Sequence, residues 1–208
     1  MAVQRVPKAK KRAYHHGDLE RALVDTAVRM IEKEGVQALT LRGVGARLGV
    51  SRTALYRHFD DKQALLARVA AEGFKRFHGA LAAAAARAEA RRADPMPAMA
   101  AAYAKFAHSH PSHYQTMFSG VLTDGKRHPG LQQHGDAAFD VLLTAIRRGQ
   151  EHGRIRSGSP RELAEITWAM SHGIATLGMA KQLSCEPSML EALAVRAWTL
   201  LDEGLRRK

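Results

Sequence analysis

The segment from Thr40 to Phe59, TLRGVGARLGVSRTALYRHF, leaves the chain little freedom. Thr40 is placed to cap a short helix that turns Val44 and Leu48 inward and stops at Gly49, a residue suited to a left-handed helix end. Ser51 caps a second helix at once, with Leu55 and Phe59 on its inner side. Two capped helices joined through Gly49 and Val50 must turn sharply; the glycine permits the turn and the valine fills the joint. This is helix-turn-helix geometry, and it leaves the outer face of the second helix, with Arg52, Thr53, Tyr56 and Arg57, free to enter a major groove. Arginine can pair in bidentate fashion with a guanine edge, threonine can touch a thymine methyl, and tyrosine can reach a phosphate. Thr40, Arg42, Ser51, His58 and Lys62 flank that face and complete the candidate DNA-contacting set. Thr40 and Lys62 stand at helix starts, where backbone amides also favour phosphate.

Every other periodic stretch repeats at three to four residues and none alternates at two, so the chain reads as all-α. The first helix begins near Asp18, carries Leu19, Leu23, Ala27, Met30 and Ile31, and stops at Gly35. Asp60 with Gln63 resembles a capping box opening a long helix that buries Leu66, Val69 and Phe77. The alanine- and arginine-rich run from Gly79 to Ala93 reads as its tail or as a linker. Asp94 and Pro95 start a helix bearing Met99, Tyr103 and Phe106 that must end before Pro111, and a short piece with Tyr114, Met117 and Phe118 follows. Residues 119–130 read as a loop. A helix from about Leu131 to His152 gathers Ala138, Phe139, Leu142 and Ile146. Ser159, Pro160 and Glu162 open the next, which runs to Lys181, and Ser188 opens the last, striped by Leu190, Leu193, Ala197, Leu201 and Leu205.

Charge supports the groove reading. The formal net charge is +12, and residues 1–80 hold 16 lysines and arginines against 8 acids. Arg5, Lys8, Lys10, Lys11 and Arg12 precede the first acid, so residues 1–17 read as a basic flexible arm attracted to phosphate. That basic start has no apolar run behind it and is not a secretory signal. The most apolar stretch, Ile166 to Ala180, is too short to cross a bilayer, and the single cysteine, Cys185, asks for no oxidising compartment. The expectation is a cytoplasmic protein.

The stretch from Leu19 to Leu66 is similar to the N-terminal domain of the TetR family of repressors. The resemblance is carried by Thr40, by Leu48-Gly49-Val50-Ser51 at the turn, by Leu55, Tyr56 and Phe59, and by Lys62 just beyond. Gly45 and Thr53 depart from the family pattern, which favours alanine at the first and a small residue at the second. Trp168, His172 and Gly173 within TWAMSHGIATL, with HPSHYQTMFSG before them, resemble a C-terminal domain type named WHG. The resemblance implies an N-terminal three-helix helix-turn-helix domain over residues 18–78. It also implies a C-terminal helical bundle over 79–208 that forms a ligand pocket and a dimer interface. The function it implies is a homodimeric repressor on a palindromic operator, released by a small effector.

The residues of the second half fit that expectation. The helix from Pro160 carries Leu163, Ile166, Met170, Ile174 and Leu177 on one side and Trp168, His172, Ala175 and Met179 on the other, as a helix sandwiched between neighbours would. With the last helix and its Trp198 it can supply both a core and a four-helix interface between two copies. Met99, Tyr103, Phe106, Met117, Phe118, Trp168 and His172 are the candidate lining of a pocket for a small, largely apolar ligand, or alternatively plain core. His108, His110 and His113 lie close in sequence, but Pro111 breaks the helix between them and no carboxylate or thiolate completes a metal set. Ser109, Ser119 and Ser171 lack a nucleophile-elbow context and Cys185 lacks an adjacent base, so no enzyme and no cofactor are expected. A nucleoid-type DNA-binding protein without an effector is the alternative, and the compact helix-turn-helix argues against it.

Overall fold

The computed structural model describes residues 16–118, 120, 122, 128–184 and 186–205. The expected arm at residues 1–17, most of the loop after Phe118, and Cys185 lie largely or wholly outside them. Nine α-helices and no strand are found among the described residues: α1 His16–Glu34, α2 Leu41–Leu48, α3 Arg52–Tyr56, α4 Lys62–Ala90, α5 Pro95–Ser109, α6 Pro111–Phe118, α7 Pro129–Glu151, α8 Pro160–Met179 and α9 Leu190–Leu205. None is long and apolar enough to cross a membrane.

Local chemistry sets most of the boundaries. Thr40, Ser51, Asp94 and Ser159 each stand in extended geometry before a helix and accept a backbone N–H through the side chain. The long fourth helix is capped one residue later than the sequence suggests. Asp61, with φ −150°, accepts the Ala64 N–H at 2.8 Å, while Asp60 is exposed in the preceding bend and Gln63 makes no reciprocal bond. The alanine-rich run proves to be helix tail. Ala84 and Ala88 are buried, since side chains this small let the neighbouring helices approach closely, and α4 ends only where Arg92 turns left-handed at φ 56°. Pro187–Met189 is a single 3-10 turn, so the last helix starts at Leu190 rather than at Ser188.

Two apolar clusters share one rod. The first joins Leu23, Ala27 and Ile31 of α1, Val44 of α2, Leu55 of α3 and Leu65, Leu66 and Val69 of α4. The second begins one residue further along α4, with Ala70, Phe77 and Leu81, and takes in α5, α6, α7, α8 and α9 around Tyr103, Ile146 and Trp198. α4 therefore crosses residue 78 without a break and packs chiefly on α5 and α7. α8 is only half sandwiched. Leu163, Ala164, Thr167, Ser171 and Ala175 are buried, whereas Ile166 and Leu177 are 46% and 42% exposed, because no element among the described residues covers their side.

Candidate nucleic-acid interface and ligand cavity

The reading unit is built from caps and one close approach. Thr40 Oγ1 accepts the Gly43 N–H at 3.0 Å and Ser51 Oγ accepts the Ala54 N–H at 3.2 Å, so both hydroxyls are engaged in starting their helices. Gly49 closes α2 at φ 70°, conformational space that few residues other than glycine occupy without strain. Gly45 has a packing reason. A Cβ there would stand 3.1 Å from Leu55 Cδ2, so the missing methyl lets α3 sit close on α2. Leu55 and Phe59 are buried beneath, which fixes α3 as a short, rigid rod.

On its outer side Arg52, Thr53, Tyr56 and Arg57 are all exposed. The Arg52 guanidinium carbon lies 5.5 Å from the Tyr56 ring centroid, a contact that aligns the two long side chains. Arg42 and Thr40 are exposed beside them on α2 and its cap, and His58 is half-buried below. Lys62 is turned inward: its Nζ donates to the Gln37 carbonyl at 3.0 Å and ties the turn after α1 to the start of α4.

The second site is a cavity of about 760 Å³ among α4, α5, α6, α7, α8 and α9. Of the seven side chains expected there, Met99, Tyr103, Phe118 and Trp168 line it. Phe106 faces Phe77 and stacks on His110 at 4.7 Å instead, and Met117 packs against α4 beside Gly73. His172 stands behind the wall, its Nδ1 2.8 Å from the Tyr114 hydroxyl and 3.0 Å from that of Tyr103, and its Nε2 3.4 Å from Thr176 Oγ1. Trp168 Nε1 donates to the Tyr103 hydroxyl at 3.3 Å. A neutral imidazole protonated on Nε2 satisfies this set, with Nδ1 accepting from a tyrosine and Nε2 donating to Thr176. Burial pushes the Tyr103 phenol well above its ordinary value and raises that of Tyr114, so both stay protonated hydroxyls.

Several lining residues have no signal in local sequence. Phe74, Phe77 and Leu81 arrive from α4 and Trp198 from α9, where their spacing announces core and nothing more. The buried lining is mainly apolar, with Tyr103, Thr167 and Ser171 as its polar members, and the mouth carries exposed Asp136 and Asp140 of α7 with Arg161 and Glu165 of α8. His110 Nδ1 and His113 Nε2 are buried without a partner, and among the described residues no group of three metal-binding side chains forms around them or elsewhere.

Burial lowers the basicity of His172, and of His113, which the nearby Arg76 charge lowers further. Both fall below the ordinary histidine value of 6.5, so on acidification the unfolded chain takes up these protons first. Their contribution to stability is present at neutral pH and is lost as pH falls from about 6.5 towards the folded-state values. Glu72 acts at lower pH. Burial opposes its charge, but Arg76, with help from His113 and Arg68, prevails and holds it below 4.5. The melting temperature should therefore drop between about pH 7.5 and about pH 5.5, and the double variant His113→Gln, His172→Gln should flatten that slope. An unchanged slope in the variant would show that other groups set it.

Comparison with known proteins agrees with this architecture. Residues 96–201, just over half of the chain, match the model of the "Tetracyclin repressor-like, C-terminal domain", and they include Trp168, His172 and Gly173. Residues 23–69 match "Bacterial regulatory proteins, tetR family". YobS of Bacillus subtilis (strain 168), an uncharacterized HTH-type transcriptional regulator, is 27% identical over 89% of this chain and 92% of its own. A protein of unknown function from Rhodococcus sp. RHA1 is 33% identical and superposes with a TM-score of 0.80, covering 95% of this chain and 100% of that one. A tetR-family regulatory protein from Rhodococcus RHA1 shares the fold at 17% identity, with a TM-score of 0.71 over 91% of this chain and 97% of the other. The chain belongs to the TetR family of transcriptional regulators, with its DNA-binding domain in the N-terminal helices.

Proposed function

We propose that the protein is a homodimeric repressor that occupies a palindromic operator and releases it when a small, largely apolar effector fills the cavity. The basic arm of residues 1–17 lies along phosphates, residues 18–78 read the operator and residues 79–208 sense the effector and dimerise. In this reading Arg52, Thr53, Tyr56 and Arg57 face the bases and backbone of the major groove, flanked by Thr40, Arg42, Ser51 and His58. Lys62 exchanges its bond to Gln37 for a phosphate. Ile166 and Leu177 of α8, with Leu200 of α9, are the exposed apolar side chains that a second copy covers.

The observation that carries the reading is the unbroken course of α4. The same helix supplies Leu65, Leu66 and Val69 to the reading unit and Phe77 and Leu81 to the cavity wall. A ligand that presses on its second half tilts the reading head with it, and a coupling of about 1–3 kcal/mol suffices to empty an operator near its binding midpoint. Hydroxyl-radical footprinting on an operator selected from random duplex tests this. The expected pattern is two protected patches related by a dyad and centred about one duplex turn apart. A single patch, or protection spread evenly along the DNA, would contradict it.

A further inference from the structure

We propose that the cavity selects an organic cation, a flat or bulky aromatic body carrying one positive charge, over neutral or anionic ligands of the same shape. This rests on the reading of the cavity as the effector site and adds the chemistry of what fills it.

The first observation is the charge at the mouth. Asp136 and Asp140 lie one turn apart on α7, both exposed and both lining the cavity. Neither has an ion-pair or hydrogen-bond partner among the described residues. Arg161, the one cation in the lining among the described residues, is already neutralised by Glu165 at 2.9 Å. Two carboxylates at a cavity mouth with no partner among the described residues, on a chain whose overall charge is +12, form a local field opposite to the net charge of the molecule.

The second observation is aromatic. Phe74, Phe77, Tyr103, Phe118, Phe139 and Trp168 line the cavity, and ring faces attract cations. Phe139, between the two aspartates in sequence, already holds the Arg161 guanidinium 5.6 Å from its centroid, so a ring of this lining accommodates a positive group.

The third feature is a hydroxyl in the cavity wall. Ser171 is only 8% exposed, lines the cavity, and has no hydrogen-bond partner among the described residues, unlike Thr167 one turn before it, which donates to the Leu163 carbonyl at 2.8 Å. A hydroxyl in the wall of a mainly apolar cavity can bond a polar atom of whatever enters it. An aromatic body between the rings, a positive end at Asp136 and Asp140 and a polar atom against Ser171 would satisfy all three features.

The two tryptophans of the chain, Trp168 and Trp198, both line the cavity, so intrinsic fluorescence reports its occupancy directly. Tetraphenylphosphonium and tetraphenylborate have nearly the same shape and opposite charge, and triphenylphosphine oxide is a neutral relative with an acceptor oxygen. Titrated against the full chain, the phosphonium should bind about tenfold or more tighter than the borate, against the attraction that a basic protein exerts on anions. The variant Asp136→Asn, Asp140→Asn should lose about tenfold for the phosphonium and keep its affinity for the phosphine oxide, while Ser171→Ala weakens the phosphine oxide alone. Borate binding as tightly as phosphonium, or a phosphonium preference that survives the double variant, would overturn the cation assignment and leave the cavity as an effector site. If none of the three probes changes the fluorescence or displaces another, the reading of the cavity as a ligand site falls too.

Discussion

With Arg52 and Tyr56 both replaced by alanine, the chain is expected to keep its helix content and its self-association and to lose its preference for a selected operator over random duplex. Both side chains are exposed, and α3 is anchored from below by Leu55 and Phe59, which are 2% and 5% exposed. The folded state therefore loses little more than the contact between the two, a surface pairing worth about 0.5–1 kcal/mol. On DNA the loss is larger. A bidentate arginine–guanine pair contributes about 1–3 kcal/mol of discrimination, so specific affinity should fall by roughly 30-fold or more, towards the salt-dependent background of phosphate attraction. Electrophoretic shift with operator and random duplex, together with circular dichroism, checks both halves of the statement. Loss of helix content would make Tyr56 a structural residue, and retained preference would move the reading surface off α3.

The variant Leu177→Glu, Leu200→Glu should be a folded monomer that binds operator poorly. In one protomer these side chains are 42% and 52% exposed, so charges there meet water and the core is untouched. Across a two-fold interface the same substitutions bring four carboxylates into an apolar seam with no partners, at a cost of several kcal/mol. Operator binding falls with the dimer, because two linked heads gain about 10²–10⁴ over one from effective concentration alone. Sedimentation velocity and operator titration read the two effects. A variant that stays dimeric would place the interface away from the outer faces of α8 and α9.

The reading unit was legible because its determinants are local. Thr40, Gly49 and Ser51 act through backbone groups within four residues, and the spacing of Val44, Leu55 and Phe59 follows from the helices they start and stop. Where two acids adjoin, as at Asp60 and Asp61, pattern alone misplaces the cap by one residue, since only backbone geometry distinguishes them. The cavity was partly legible. Met99 and Tyr103 on α5, Phe118 on α6 and Trp168 on α8 stand out by residue type, but Phe74, Phe77 and Trp198 reach the same space from distant helices. Asp136, Asp140 and Ser171 matter only because the fold brings α7 and α8 to one mouth. On α8 the 3.6-residue repeat marks apolar stripes without saying which neighbour fills each. Leu163 is buried by its own chain, and Ile166, three residues on, is left uncovered.

If α3 is presented twice by a two-fold dimer, it reads the same short sequence on both half-sites of an operator. The most direct test is a competition titration at fixed salt, in which a palindrome selected from random duplex competes with its own scrambled sequence for the full chain. The palindrome should be preferred by about 10³-fold or more, with two protein chains bound to each. Equal affinity for the two duplexes, or saturation at one chain per palindrome, would contradict it.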